Sequence, residues 1–308
     1  MTDILYPKLA VIGCGLIGSS VIRAARAAGV VGAVWVADAS SAHRAEIEQL
    51  GYADRVFADP AEAVQGADLV LIATPPLSIA AAALACAPGL KPGVTLTDAG
   101  SVKGGVGEAL SAAAPNALVI PGHPIAGTEY SGPGAGFATL FQNRWTILCP
   151  SERDDPDYTA AVERLTAFWT ALGANVEVMD EKHHDLVLAV TSHLPHLIAY
   201  NIVGTAADLE EVTQGEVIKF SASGFRDFTR IAASDPVMWR DVFLMNKDAV
   251  LEILGRFTED LQALSRAIRW GEGERLEALF TRTRTIRRSI VAAGQESAEP
   301  NFGRDRKL

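Results

Sequence analysis

Residues 8–18 read Lys8-Leu9-Ala10-Val11-Ile12-Gly13-Cys14-Gly15-Leu16-Ile17-Gly18. The apolar run at the start predicts a buried parallel strand, and the segment after the turn predicts a helix. In this arrangement Gly13 serves the tight turn, Gly15 lets the backbone approach a pyrophosphate, and Gly18 lets the helix pack closely on the strand. The pattern predicts a dinucleotide-binding turn. The residues that it assigns to the cofactor are Gly13, Gly15, Leu16, Ile17 and Gly18.

A second predicted strand, residues 33–37, ends at Asp38. An acidic side chain at this position binds the ribose hydroxyls of NAD and repels the 2′-phosphate of NADP. Asp38 therefore favours NAD as the cofactor, although the nearby Arg44 leaves NADP open. The other interpretation of Asp38 is an ordinary turn residue at the end of a strand.

Strands and helices continue to alternate up to residue 180, which predicts an α/β fold with a doubly wound, Rossmann-like sheet. Loops at the carboxyl ends of such strands face the cofactor, so we assign Thr74 and Pro75 to cofactor binding. Ser101 lies on a corresponding loop, where the alternative role is a helix cap. Two further strands, residues 144–149 and 175–179, are expected to complete the same sheet. Lys103 is expected to be solvated.

The stretch Pro121–Glu129 follows an apolar run and reads Pro-Gly-His-Pro-Ile-Ala-Gly-Thr-Glu. Its glycines and prolines predict a tight, rigid loop. A histidine on such a loop, just past a strand end, is placed like a general base, and this histidine is His123. The alternative is a simple turn with an exposed histidine.

After residue 180 the pattern becomes helical, and residues 181–206 predict one long helix. Pro195 interrupts it beside Ser192, His193 and His196, which indicates a kink at a functional wall. Two interpretations are a metal site and a hydrogen-bonding wall for a polar substrate. We expect no metal, because a compact third ligand is missing from the pattern and residues 183–185 lie two turns away.

Two arginines of the helical half, Arg226 and Arg230, are four residues apart and share a face if that segment is helical. Arginine suits bidentate capture of a carboxylate. The alternative is a salt bridge, for example with Asp227 or Asp241. We favour the salt bridge for Arg226 and the carboxylate for Arg230.

Composition limits the classes of partner. The 308 residues carry a formal net charge of −10, which disfavours nucleic acid and anionic membranes. Three scattered cysteines and no apparent signal peptide lead us to expect a cytoplasmic protein. We predict a dinucleotide-binding domain at 1–180, a helical substrate and dimerisation domain at 181–295, and a flexible tail at 296–308.

Several motifs together resemble the prephenate and arogenate dehydrogenases. The resembling segments are Gly13–Gly18, Asp98–Lys103, Gly122–Glu129, Thr191–His196, Phe225–Ala232 and Met238–Trp239. The resemblance implies a Rossmann domain followed by an all-helical dimerisation domain, and hence a homodimer. It implies that His123 is the catalytic histidine and that Ser101 hydrogen-bonds near it. On the substrate side it implies His196, Arg230 as the carboxylate ligand, Thr128 and Glu129 at the entrance, and Trp239 arriving across the dimer interface.

The implied activity is NAD-dependent oxidative decarboxylation of prephenate, arogenate or both, which forms 4-hydroxyphenylpyruvate or tyrosine. The sequence leaves the choice between the two substrates open. Two other classes remain as alternatives. One is a Rossmann oxidoreductase of the β-hydroxyacid type, which uses a catalytic lysine where this chain has Ser192 and His196. The other is a dinucleotide sensor without catalysis.

Overall fold

A computed structural model describes residues 3–128, 130–209 and 223–292 of the chain. Nine strands lie in its first 180 residues, and buried aliphatic side chains dominate most of them. The strands are β1 (Tyr6–Ile12), β2 (Val31–Ala37), β3 (Arg55–Phe57), β4 (Leu69–Ile72), β5 (Thr95–Asp98), β6 (Leu118–Val119), β7 (Gly122–Pro124), β8 (Trp145–Leu148) and β9 (Asn175–Val178).

Helices cover the sheets and make up most of the chain after residue 180. They are α1 (Leu16–Ala28), α2 (Ser41–Leu50), α3 (Pro60–Ala63), α4 (Ile79–Cys86), α5 (Val106–Ala113), α6 (Pro156–Ala171), α7 (Glu181–Leu188), α8 (Leu194–Asp208), α9 (Ser223–Thr229), α10 (Pro236–Met245), α11 (Lys247–Trp270) and α12 (Gly273–Ala292).

Six parallel strands form the main sheet in the order β3-β2-β1-β4-β5-β6. Alternate residues of each central strand enter opposite cores: Leu9 and Val11 lie in one, and Ala10 and Ile12 in the other. Because both faces are covered, the strands are continuous apolar runs. This strand order is that of a doubly wound dinucleotide-binding sheet, so the predicted fold class is confirmed.

The expectation that residues 144–149 and 175–179 complete this sheet is wrong. β8 and β9 instead form a separate three-stranded sheet with β7, in the order β7-β8-β9, and β7 runs antiparallel to β8. The chain leaves the main sheet after β6 and enters the second sheet at Gly122. His123, the middle residue of β7, pairs with Ile147 and is therefore held by a strand ladder rather than by a loop.

The long helix predicted at 181–206 is interrupted by a π-helical turn, residues Ala189–His193, between α7 and α8. In this turn the Leu194 amide donates to the Ala189 carbonyl, five residues back. Pro195 explains the wider turn, because it has no N–H to donate to the residue four positions before it. The predicted distortion is thus present, and it lies in the turn that carries Ser192 and His193.

By length and composition alone, the segment Glu181–Asp208 is long and apolar enough to cross a membrane. Core helices of soluble proteins pass the same test, so this evidence is weak. Two side chains of α7, His184 and Asp185, are buried and hydrogen-bonded to other parts of the chain. These contacts assign α7 to the protein core, and the absence of a membrane partner stays a prediction.

The chain divides into two compact units, Met1–Val250 and Leu251–Leu308. Every candidate site residue lies within the first unit. The predicted boundary at residue 180 stays a prediction, and the tail predicted at 296–308 lies outside the described residues.

Candidate active site

The glycine turn between β1 and α1 has the geometry expected for a phosphate-binding backbone. Gly13 has a φ of +84°, in the left-handed region that favours glycine. A Cβ on Gly18 would lie 2.4 Å from the Gly13 carbonyl oxygen, so only glycine permits this packing of α1. A Cβ on Gly15 would meet nothing within 4 Å, which leaves the backbone open to an approaching ligand. Leu16 and Ile17 form the half-buried first turn of α1.

Asp38 lies directly after β2 and is 9% exposed. One of its carboxylate oxygens accepts the Cys14 amide of the glycine turn at 2.9 Å, and the other accepts the Ser40 amide at 2.9 Å. The guanidinium of Arg44 donates to the carbonyl oxygens of Asp38 (2.8 Å) and Ala39 (3.0 Å). Asp38 therefore lies beside the glycine turn, as predicted for a ribose ligand.

Three further predicted residues follow strands of the main sheet. Thr74 follows β4, is half-buried, and its hydroxyl has no partner among the described residues; Pro75 beside it is exposed. Ser101 follows β5 and is half-buried. No hydrogen bond joins Ser101 to His123 in the part of the chain that the structure describes, so the role of Ser101 stays a prediction.

The expectation that Lys103 is solvated is wrong, because its side chain is fully buried. Its ammonium group forms an ion pair with Asp98, at the end of β5, and donates to the Gly122 carbonyl oxygen at 2.7 Å. Asp98 in turn accepts the Gly122 amide at 3.1 Å. A lysine and a carboxylate are each costly to bury alone, and here they pair with each other. Together they hold both backbone groups of the residue before His123.

His123 is 7% exposed and belongs to a chain of three polar side chains. Its Nδ1 lies 2.8 Å from Nε2 of His184, which is fully buried. Nδ1 of His184 lies 2.8 Å from the Asp185 carboxylate. The sequence analysis placed His184 and Asp185 away from the site, and this is corrected here. The missed signal is a His-Asp pair in the first turns of α7, whose contact spans 61 residues of sequence.

α7 reaches β7 because its acidic side chains bind a row of backbone amides. Asp185 accepts the amides of Lys103 and Gly104, each at 2.8 Å. Glu181 accepts the Gly107 amide at 3.0 Å. Burial alone would raise the pKa of Asp185, but the hydrogen bonds from His184 and from these amides outweigh it and lower the pKa.

Burial favours the neutral form of three histidines of the site. It lowers the pKa of His123 well below its usual 6.5, and interactions with the neighbouring His184 and Lys103 lower it further. Burial also lowers the pKa of His193 to about 4. The pKa of His196 is lowered by burial, with an additional contribution from Arg230.

His193 and His196 form the predicted wall on the π turn and α8. The ring of His196 stacks on Trp239 with centroids 3.6 Å apart, and its Nδ1 lies 2.8 Å from the Ser192 carbonyl oxygen. The side-chain amide of Asn246 donates to His193 Nδ1 at 3.1 Å. Trp239 thus contacts His196 of its own chain, and its role across a dimer interface stays a prediction.

The remaining predicted residues lie nearer the surface. Arg230 is exposed at the start of a 3₁₀ turn after α9. Its positive charge contributes to the lowered pKa of His196. Ser192 is half-buried, and Thr128 is exposed with its hydroxyl accepting the Tyr130 amide at 3.2 Å. Glu129 lies outside the described residues. Asp241, named as a salt-bridge partner for Arg226, pairs instead with Arg240 at 2.6 Å.

Among the described residues, no group of three or more histidine, cysteine or acidic side chains is arranged to hold a metal ion. The site therefore offers a glycine turn with an open backbone, a carboxylate beside that turn, a buried neutral histidine, and a wall that carries two further histidines. Such a set is typical of a Rossmann-type oxidoreductase.

Comparison with known proteins assigns the family. Residues 21–178 match the family model described as prephenate dehydrogenase, nucleotide-binding domain. Residues 180–282 match the model described as prephenate dehydrogenase, dimerization domain.

Individual relatives agree with the family models. The chain is 40% identical to the cyclohexadienyl dehydrogenase of Zymomonas mobilis, over 93% of this chain and 97% of the relative. It is 32% identical to the prephenate dehydrogenase of Bacillus subtilis, over 94% of this chain and 77% of the relative. The crystal structure of prephenate dehydrogenase from Aquifex aeolicus in complex with hydroxyphenyl propionate and NAD⁺ has a TM-score of 0.84 at 31% identity. The superposition covers 92% of this chain and 98% of the Aquifex chain.

The chain therefore belongs to the prephenate dehydrogenase family. It is an oxidoreductase of a family that carries out oxidative decarboxylation in tyrosine biosynthesis. Membership decides against the β-hydroxyacid and sensor classes.

Proposed function

We propose that this protein is an NAD-dependent cyclohexadienyl dehydrogenase that oxidatively decarboxylates prephenate, arogenate or both, with His123 as the general base. The observation that carries the proposal is the placement of His123. It is a buried, neutral histidine whose backbone is held by strand pairing and whose ring is held by His184, and it belongs to the same compact unit as the glycine turn. The Zymomonas relative is named for the cyclohexadienyl ring that prephenate and arogenate have in common.

The chemistry required of the protein is limited. The substrate carries a hydroxyl on one ring carbon and a carboxylate on the opposite carbon. As His123 accepts the hydroxyl proton, hydride leaves the same carbon, carbon dioxide leaves the opposite side, and the ring becomes aromatic. Because aromatisation drives the reaction, the chain has to orient the substrate, remove one proton and bind the anion.

The cofactor assignment rests on the glycine turn and Asp38. The open approach at Gly15 and the carboxylate beside it fit a dinucleotide with free ribose hydroxyls. Arg44 is already engaged by the carbonyl oxygens of Asp38 and Ala39, which supports NAD over NADP. When bound, NAD supplies the hydride acceptor.

Substrate recognition is assigned to the helical wall. Arg230 would bind a substrate carboxylate, since guanidinium and carboxylate pair in a bidentate geometry. His196 would bind through Nε2, because its Nδ1 is occupied by the Ser192 carbonyl. Ser192 is proposed to belong to the same wall, Thr128 and Glu129 to line the entrance, and Ser101 to assist the placement of the hydroxyl.

Two variants separate these roles. His123→Asn removes the base and is expected to lower kcat by roughly 10²- to 10⁴-fold with KM little changed. Arg230→Ala is expected to act mainly through a higher KM. Steady-state kinetics of both variants test the assignment, and near-normal turnover of His123→Asn would rule out His123 as the base.

A further inference from the structure

The strongest unassigned feature of the molecule is the row of side chains behind His123. His123 comes from β7, and His184 and Asp185 come from α7. The two contacts in the row, His123 to His184 and His184 to Asp185, are each 2.8 Å long. All three residues are at most 7% exposed, so bulk water does not compete for these contacts.

The direction of the hydrogen bonds follows from Asp185. This carboxylate accepts two backbone amides besides His184, and its lowered pKa keeps it ionised. An ionised carboxylate has no proton to donate, so Nδ1 of His184 must carry the proton of that contact. When His184 carries only this one proton, its lone pair is on Nε2 and accepts the proton on Nδ1 of His123. Neutral His123 is consequently left with its lone pair on Nε2.

We propose that Asp185 and His184 are positioning residues that fix His123 in the tautomer with Nδ1 protonated and Nε2 free to accept a proton. Among the described residues, Nδ1 is the nitrogen of the His123 ring that has a hydrogen-bond partner, so Nε2 is left for substrate. The Asp98–Lys103 pair fixes the preceding residue, Gly122, through both backbone groups. We call the row His123–His184–Asp185 the relay. It fixes the orientation of the His123 ring, while the Asp98–Lys103 ion pair fixes the position of the strand that carries it. Its kinetic consequence rests on the proposed function, whereas the tautomer itself does not.

The tautomer is measured directly by NMR on the full-length protein labelled with ¹⁵N-histidine. Long-range ¹⁵N–¹H correlations distinguish protonated from unprotonated ring nitrogens for the six histidines of the chain. His123→Asn and His184→Gln assign the two rings by loss of their signals. The expected result is Nδ1-protonated His123 and Nδ1-protonated His184 at neutral pH. Protonation of His123 on Nε2, or a mixture of its tautomers, would overturn the proposal.

Kinetics test what the relay contributes. His184→Phe keeps a ring in the cavity but has no nitrogen, so His123 loses its acceptor, and kcat is expected to fall roughly 100-fold with KM little changed. His184→Gln retains an amide donor toward Asp185 and an oxygen acceptor toward His123. Its kcat is therefore expected to be at least tenfold higher than that of His184→Phe. His183→Phe, at the exposed neighbouring position, is the matched control and is expected to turn over normally.

The outcomes separate a positioning role from a purely structural one. Equal losses in His184→Phe and His184→Gln, both with unchanged thermal unfolding, would contradict the relay. If a variant unfolds at a lower temperature than the wild type, the proposal is decided by the NMR result on the wild-type protein, which carries no substitution in the relay. If the wild-type protein shows the expected tautomers but does not turn over, the proposed function fails while the relay stands.

Discussion

At the scale of single residues, the site depends on buried charges and rings that neutralise or orient one another. Lys103 and Asp98 are both fully buried, and each would be costly without the other. Asp185 is held by two amides and one imidazole. Burial keeps His123 neutral and these contacts hold it in place, as the proposed role of a base at neutral pH requires.

The pH dependence of activity follows from the lowered pKa of His123. A base works when deprotonated, and burial together with His184, Lys103 and His193 lowers the pKa of His123 well below 6.5. Activity is therefore expected to persist as the pH falls through 6.5 and to decline only at more acidic pH. The measurement is kcat/KM against pH, whose acidic limb reports the free enzyme. An acidic limb at or above pH 6.5 would contradict the account.

At the scale of elements, close contacts between backbones decide which residues are permitted. α1 can lie on β1 only because Gly18 has no Cβ, and α7 lies against the loop after β5 because amides there face acidic side chains. The π turn before Pro195 places Ser192 and His193 between two regular helices. Each of these features is local, and each positions one part of the candidate site.

The glycine turn offers a test at this scale. Gly18→Ala places a methyl group 2.4 Å from a backbone oxygen, so it is expected to destabilise the fold by roughly 1–3 kcal/mol. Gly15→Ala meets no atom within 4 Å, so it is expected to change stability by less than about 1 kcal/mol. Its methyl group would nonetheless occupy the approach of the pyrophosphate and weaken NAD binding.

Denaturant unfolding and NAD titration of the two variants provide the comparison. The prediction is a stable Gly15 variant with poor NAD affinity and an unstable Gly18 variant. Wild-type NAD affinity in Gly15→Ala would show that the pyrophosphate does not pass over this residue.

The sequence predicted local elements well because their patterns are local. The strand–glycine–helix unit of β1 and α1 was predicted almost in full. What it missed depends on contacts distant in sequence. The second sheet joins β7 to β8 and β9, and the relay joins His123 to His184 across 61 residues. The burial of Lys103 was missed for the same reason, since its ammonium group also binds the Gly122 carbonyl oxygen, 19 residues further along the chain.

At the scale of the whole molecule, the family's dimerization domain matches residues 180–282. The unit Leu251–Leu308 carries large exposed apolar side chains on α11 and α12, among them Ile268 (67% exposed), Trp270 (68%) and Phe280 (56%). Apolar groups of this size that face water in one chain mark a surface that a partner covers. We infer that this partner is a second copy of the chain.

The dimer is tested by sedimentation. The wild-type chain is expected at twice its 32.6 kDa mass at micromolar concentration. Ile268→Asp places a charge on the inferred interface and is expected to shift the population toward monomer. Leu84→Asp, at an aliphatic side chain of α4 that is 62% exposed, is the control and is expected to leave the mass unchanged. A monomeric wild-type protein would contradict the inference.

The most direct test of the central claim is the absorbance of reduced nicotinamide with the purified protein. Prephenate and arogenate are each offered with NAD and with NADP. The account predicts turnover with at least one of the two substrates and a higher kcat/KM with NAD than with NADP. Comparison of the two substrates then gives the preference. Absence of turnover in all four combinations would contradict the proposed function.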